Sequence, residues 1–219
     1  FALTVHFFAN AGEVEADNIA SQTPYELSPM PNYSAGTGNP LKVLADGRRA
    51  GSRFWVGSDS IGWYYKSPVV YRQTFRSSQN VKRVEIATGQ ALRSDVALPG
   101  NAFVYLEGAG GRWTFVGDAG ELAAPATDGP NVVSLDIDPI AATAITLVIY
   151  RNAPYLSLDE VRILVAPNGR ASSGASVVDI PSDAIMRRIA FAEHKAGTRP
   201  LGAERDQLTA WPLTSGVPE

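Results

Sequence analysis

Short runs in which apolar and polar residues alternate recur through the middle of the chain, separated by segments rich in glycine, serine and asparagine. Alternation with a period of two indicates half-buried strands, and no segment between 68 and 165 follows a helical period. The predicted strands are Phe1–Phe8, Val69–Phe75, Val81–Thr88, Phe103–Glu107, Trp113–Val116, Val132–Ile137, Ile145–Tyr150 and Val161–Val165. RSSQN (76–80) and the glycine-rich GAGGR (108–112) are predicted turns, and the nearly unbroken apolar run 145–150 predicts a strand buried on both faces. This pattern predicts an all-β domain, either a sandwich or a barrel.

The two ends of the chain differ from this middle part. Residues 10–40 lack periodicity and predict a long surface segment that packs through Tyr25, Leu27 and Tyr33. Near the other end, Ser182-Asp183 can cap a short helix that continues to about Lys195. We therefore predict an N-terminal strand and extended arm (1–39), a β-sandwich domain (40–167), and a linker with a helical tail (168–219).

Composition excludes several classes of function. The chain has 219 residues, no cysteine and a formal net charge of −3. Without cysteine there are no disulfides, thiolate nucleophiles or zinc–thiolate sites. The charge gives no general attraction to nucleic acid. No apolar run reaches the length of about 18 residues that a membrane-spanning helix needs, so we expect no membrane insertion.

The sequence contains no recognisable catalytic motif. Its two histidines, His6 and His194, lie at opposite ends of the chain, and no G-x-S-x-G, H-E-x-x-H or P-loop motif is present. Two pairs of acids, Asp136 with Asp138 and Asp159 with Glu160, leave a glycoside hydrolase as an alternative. Paired carboxylates are usually plain protein surface, so we interpret the protein as a non-enzyme.

Five segments occur in an order that resembles one known family. They read LKVLADGRRAGSRFW, SPVVYRQTF, NVKRVEIATG, NAFVYLEGAGGRWTFVGD and YLSLDEVRILV. This order is similar to that of the galactose-binding-like family, also called discoidin or factor V/VIII C-type domains. The resemblance covers about half to three-fifths of the chain and implies a jelly-roll β-sandwich. Residues 75–80 and the tail beyond 167 depart from the family pattern.

The resemblance also implies a structural calcium ion beside the first loop. It places Asp46 and Glu160 as side-chain ligands and Ser52 near the usual hydroxyl ligand, with backbone carbonyls completing a shell of oxygen atoms. In the alternative, Asp46 supports an Asp-Gly turn, and Glu160 is solvated or pairs with Arg48 or Arg49.

Three loops carry the aromatic and planar polar side chains that sugar binding requires. Loop 58–65 contains the aromatic cluster with Tyr64, loop 88–95 contains Asp95, and loop 150–158 contains Arg151. The predicted ligand-binding residues are Trp63, Tyr65, Gln90, Arg93, Asn152 and Tyr155. In the alternative, the aromatic residues belong to a strand or the core, and the arginines are solvated charges.

These observations favour a non-catalytic recognition module for carbohydrate, within a larger protein or assembly. The alternative is a structural or adhesive subunit that binds protein through the same loops. Such a subunit could belong to a phage-like tail, a spike or an envelope complex. Either role predicts an extracellular, cell-surface or virion-associated location, and the second predicts an oligomer.

Overall fold

The computed structural model describes residues 17–120 and 127–166, and the backbone of 178–181. Three short 3-10 turns accompany the strands, at Ala20–Gln22, Val43–Ala45 and Leu92–Ser94. The strands are β1 Tyr25–Ser28, β2 Ile61–Tyr64, β3 Val69–Gln90, β4 Asn101–Glu107, β5 Arg112–Asp118, β6 Gly129–Tyr150, β7 Tyr155–Val165 and β8 Val178–Pro181. Every pair of neighbouring strands is antiparallel, which confirms the predicted all-β class.

Two strands of 22 residues each, β3 and β6, belong to both layers of a sandwich. Their 69–74 and 144–149 halves pair with each other and continue into β1 on one side and β4, β5 and β8 on the other. Their other halves pair with each other, and β7 and then β2 extend that layer. Because side chains of both layers meet in one buried cluster, the fold is the predicted jelly-roll β-sandwich.

The segment RSSQN (76–80) does not form the predicted turn. It lies inside β3, where the pairing with β6 shifts register between Thr74 and Gln79. The chain therefore bends from one layer into the other instead of reversing direction. By contrast, the predicted glycine-rich turn between β4 and β5 is confirmed, with Gly110 and Gly111 at φ values of 88° and 75° that favour glycine.

A bulge in β7 changes which residues face the core. Leu158 and Glu160 pair with adjacent residues of β3, so Asp159 is an extra residue without a partner in the ladder. Leu158 and Val161 both lie in the core cluster, although strict alternation would not place both there. Asp159 and Glu160 are consequently both available to contact the loop that packs outside β7.

The N-terminal part of the described chain packs onto the sandwich. Tyr25 of β1 is buried, and its ring stacks on that of Tyr71 at a centroid distance of 5.0 Å. Strand β1 lies in a segment predicted to lack regular structure, so that prediction is wrong there. The predicted strand Phe1–Phe8 and the helix from Ser182 lie outside the described residues, and the domain boundaries at 39/40 and 167/168 stay predictions. No helix in the described part of the chain is long and apolar enough to cross a membrane.

Candidate functional site

Four tyrosines gather where the end of β2 pairs with the start of β7, and we call this group (Tyr33, Tyr64, Tyr65 and Tyr155) the tyrosine face. Tyr64 and Tyr155 are partners in the ladder, and their rings stack at 4.6 Å and 25°. Tyr33 and Tyr65 contact this pair edge-on, at 4.9 Å from Tyr155 and 4.5 Å from Tyr64. Tyr64 and Tyr65 are 42% and 52% exposed, so their rings are accessible to a ligand.

The backbone of Tyr65 adopts a conformation that is unfavourable for residues other than glycine. Its φ is 53°, in the left-handed region where a side chain costs about 1 kcal/mol. The backbone N–H of Tyr65 donates to the carbonyl of Pro154 at 2.9 Å, and the guanidinium of Arg151 lies 5.2 Å from the centre of its ring. These contacts compensate for the strain and fix the direction of the exposed ring.

The second predicted loop reaches the same place through its backbone. The N–H of Tyr155 donates to the carbonyl of Asp95 at 3.1 Å. Arg93 is exposed in the 3-10 turn Leu92–Ser94, two residues before Asp95. Desolvation, followed by the nearby Tyr155, Tyr65 and Asp95, raises the pKa of Tyr64.

The two predicted amide ligands differ in accessibility. Asn152 is exposed on the loop between β6 and β7, three residues before Tyr155. Gln90 is the last residue of β3, lies opposite Gly129 and is half-buried. The structure thus brings the three predicted loops together, with Arg93 and Asn152 as their exposed polar side chains.

The prediction that Trp63 contacts a ligand is wrong. Its side chain is 0% exposed in the core cluster, and its Nε1 donates to the carbonyl of Pro29 at 2.8 Å. The reason is the alternation of β2, which directs Trp63 inward and its neighbour Tyr64 outward. Tyr33 was predicted as a packing anchor, and its place in the tyrosine face has no local signal in the sequence.

A second site lies where the loop 46–50 meets the bulge of β7. Both Asp159 and Glu160 are only 2% exposed. The N–H of Gly47 donates to the two carboxylate oxygens of Glu160 at 3.2 and 3.3 Å, and that of Ala50 donates to Oδ2 of Asp159 at 2.7 Å. The interpretations of Glu160 as solvated or paired with an arginine, and of both acids as plain surface, are therefore wrong.

These buried carboxylates accept hydrogen bonds from backbone N–H groups, and no arginine or lysine of the described residues forms an ion pair with them. Burial raises the pKa of Asp159 to about 6 and that of Glu160 to about 7, and the neighbouring Asp46 and Asp159 add to the shift at Glu160. Oδ1 of Asp159 is buried and has no hydrogen-bond partner among the described residues. The charge of Arg49 lowers the pKa of Asp159 only partly, and its guanidinium forms an ion pair with Glu85, at 3.1 Å.

This chemistry fits a hard cation, since such ions prefer carboxylate and carbonyl oxygens. The described residues hold no cluster of three or more His, Cys, Asp or Glu side chains suited to a metal, so loop carbonyls would have to supply further ligands. Asp46 uses Oδ1 to accept the N–H of Arg48 at 2.9 Å, and Ser52 is exposed. Calcium at Asp46, Ser52 and Glu160 stays a prediction.

The other pair of acids considered for catalysis is engaged elsewhere. Asp136 accepts two hydrogen bonds from Nη1 of Arg83, at 2.7 and 2.9 Å, and 78% of its side chain is exposed. Asp138 is exposed two residues further along β6. This geometry is that of a surface ion pair.

No protein-family model and no curated protein sequence matches the chain. Among solved structures, the module CpGH89CBM32-5 of Clostridium perfringens, in complex with GalNAc-β-1,3-galactose, is 11% identical with a TM-score of 0.48 over 68% of this chain and 99% of its own. A fucose-binding module of Streptococcus pneumoniae, SpX-3, is 16% identical with a TM-score of 0.49 over 69% and 99%. The family 32 carbohydrate-binding module of Clostridium perfringens NanJ, in complex with galactose, is 13% identical with a TM-score of 0.48 over 68% and 98%. At these values the fold assignment rests on the strand order and register of the chain itself.

Proposed function

We propose that this protein is a non-catalytic carbohydrate-recognition module that binds its ligand on the tyrosine face. The observation that carries the proposal is the pair of exposed, mutually packed rings of Tyr64 and Tyr65 at the loop end of a rigid sandwich. An aromatic plane offers apolar surface to the C–H face of a sugar ring, and a phenol hydroxyl can hydrogen-bond at its edge. Rings fixed by neighbouring contacts lose little entropy when a ligand binds.

Polar groups beside the tyrosine face would bind the sugar hydroxyls. Arg93 carries five N–H donors, and the amide of Asn152 both donates and accepts. Both side chains are exposed and lie on the two loops that flank Tyr155. A recognition module of this kind suits an extracellular or cell-surface location.

A structural calcium ion is the second part of the proposal. Glu160 and Asp46 would hold it, with Ser52 nearby and loop carbonyls completing the shell. The ion would supply the positive charge that the buried carboxylates of β7 lack. Its role would be to hold the loop 46–50 against the last core strand.

The test is a glycan array, followed by calorimetry with the best ligand, on the full chain. Tyr64→Ala and Tyr65→Ala should each lower the affinity by about tenfold, or about 1.4 kcal/mol, because each removes an exposed ring. Leu41→Ala is the matched control, since Leu41 is a 60% exposed apolar residue that belongs to neither β2, β7 nor the tyrosine face. Arg93→Ala should weaken binding without changing the melting temperature.

Two results would reject the proposal. One is the absence of binding to any glycan on the array. The other is binding that survives both tyrosine substitutions while Leu41→Ala weakens it. Tyr155→Ala is a poor probe, because this half-buried ring also packs against Tyr33 and the small cluster around Phe54, so its loss would alter stability.

A further inference from the structure

The sandwich has a second apolar cluster on the outside of one layer, which we call the aromatic outer face. Val148 lies between the core residues Leu147 and Ile149, so its side chain points away from the core. The same alternation applies to its neighbours on β3, β4 and β5. The aromatic outer face comprises Val70, Phe103, Tyr105, Trp113, Phe115, Ala144, Val148 and Tyr150.

This face is buried although it lies outside the core. Trp113 is only 3% exposed, Ala144 1% and Val148 4%. All the described members of the cluster belong to β3, β4, β5 and β6, so no described segment outside this layer contributes to it. Side chains on the outer face of a sheet stay exposed to solvent unless another segment packs over them, so this low exposure calls for a covering segment.

One polar group on the face supports the same view. The guanidinium of Arg72 lies 5.4 Å from the ring centre of Trp113, and its Nη2 is 3.6 Å from the carboxylate of Glu107. Nε of Arg72 is buried and has no hydrogen-bond partner within the described part of the chain. A covering segment that carries an acceptor would satisfy this donor.

The position of β8 indicates which segment covers the aromatic outer face. The backbone of β8 pairs with the free edge of β5, with Ile180 opposite Trp113 and Pro181 opposite Arg112. Strand β8 therefore ends at the border of the aromatic outer face. The next residues, 182–195, contain the apolar Ile185, Met186 and Ile189, which share one side of the helix that the sequence predicts there.

We propose that residues 182–195 pack as a helix across the aromatic outer face of the same molecule. A 14-residue helix is about 21 Å long, and the seven-residue strands β4 and β5 are about 23 Å long, so the lengths match. An isolated helix of this length is marginal in water and needs an apolar surface to be stable. The acidic residues Asp183 and Glu193 are the acceptors that this segment offers to Arg72.

The absence of cysteine allows a direct test by thiol labelling in the full chain. Val148→Cys reports on the aromatic outer face, and Val104→Cys, on the core side of the same layer, reports on unfolding of the sandwich. Adding Ile185→Asp and Ile189→Asp should speed labelling at 148 by about tenfold or more, because charges on the apolar side displace the helix. Labelling at 104 should remain slow.

Arg187→Asp with His194→Asp is the matched control, since these positions lie opposite Ile185 on a helix and receive the same two aspartates. It should leave labelling at 148 unchanged. If the Ile185/Ile189 variant labels equally fast at both cysteines it has unfolded, and Ile189→Ala then replaces it, with an intermediate increase expected at 148 alone.

Two outcomes would overturn the proposal. One is a labelling rate at position 148 that stays the same both with Ile185→Asp and Ile189→Asp together and with Ile189→Ala alone. The other is protection that disappears on dilution, which would assign the cover to a second copy of the chain. Glycan binding is measured separately on the same variants, and we expect it to be unchanged because the tyrosine face lies on the other layer, on β2 and β7.

Discussion

The buried carboxylates Asp159 and Glu160 predict a contribution to the stability of the metal-free protein that is lost as the pH rises from about 4 to about 7. In the unfolded chain these groups have their ordinary pKa values of 3.8 and 4.5, while in the folded protein burial raises them to about 6 and about 7. Between the two ranges the folded state binds more protons than the unfolded state. The slope of the unfolding free energy against pH is therefore negative there, and the stabilisation is fully present only below about pH 4.

The magnitude follows from the two shifts. Each pKa unit corresponds to 1.36 kcal/mol, so a shift of about two units would contribute about 3 kcal/mol for an isolated group. Asp159 and Glu160 are adjacent and titrate together, and solvent screens part of the effect. We therefore expect about 3 kcal/mol for the pair rather than the sum.

The assay is urea unfolding in a chelator at several pH values between 4 and 8. The matched variant is Asp159→Asn with Glu160→Gln, which retains an acceptor oxygen for the N–H groups of Ala50 and Gly47 but cannot ionise. The wild type should be more stable relative to the variant at pH 4.5 than at pH 7.5. A difference between the two proteins that stays constant across this range would show that these carboxylates do not titrate with raised pKa values, because other titrating groups are common to both.

Three further predictions concern packing, strain and calcium. Gly89→Ala should destabilise the protein by about 2 kcal/mol in urea unfolding, because its Cβ would overlap the ring of Phe54. Gly51→Ala, where no atom lies within 4 Å, should change stability by less than about 1 kcal/mol. Tyr65→Gly should be about 1 kcal/mol more stable than Tyr65→Ala, the reverse of the order expected in a strand, because the backbone at 65 has a positive φ; equal stabilities would contradict the strain. Calcium at about a hundred times its Kd should raise the melting temperature at pH 7.5 by about 5–10 °C, and Glu160→Gln should abolish the rise; no rise in the wild type would remove the ion from the proposal.

The sequence was informative wherever local chemistry decides the structure. The nearly unbroken apolar run in β6 predicts burial on both faces, and Leu147 in the core with Val148 on the outer face shows why both sides must be apolar. The glycines after β4 predict a hairpin because only glycine tolerates the φ values that the turn needs. Loop residues with matching chemistry, such as Arg93 and Tyr155, were predicted as one surface and do lie on neighbouring loops.

Long-range geometry explains what the sequence could not predict. Whether Trp63 or Tyr64 faces outward depends on the register of β2 against β7, and both residues suit either position. Asp159 and Glu160 resemble solvated acids in sequence, and only the bulge places both beneath the loop 46–50. The bend of β3 at residues 76–80 resembles a turn, because polar residues occur equally in turns and in irregular strand segments.

The shared strands β3 and β6 have a consequence for how this domain tolerates change. Since each strand continues from one layer into the other, neither layer can separate without breaking the ladder that both use. The sandwich should therefore melt in a single step, with amides in both halves of β3 exchanging hydrogen through the same global opening. The loops that carry Arg93 and Asn152 lie outside this shared ladder, so substitutions there can change the ligand preference at little cost to the framework.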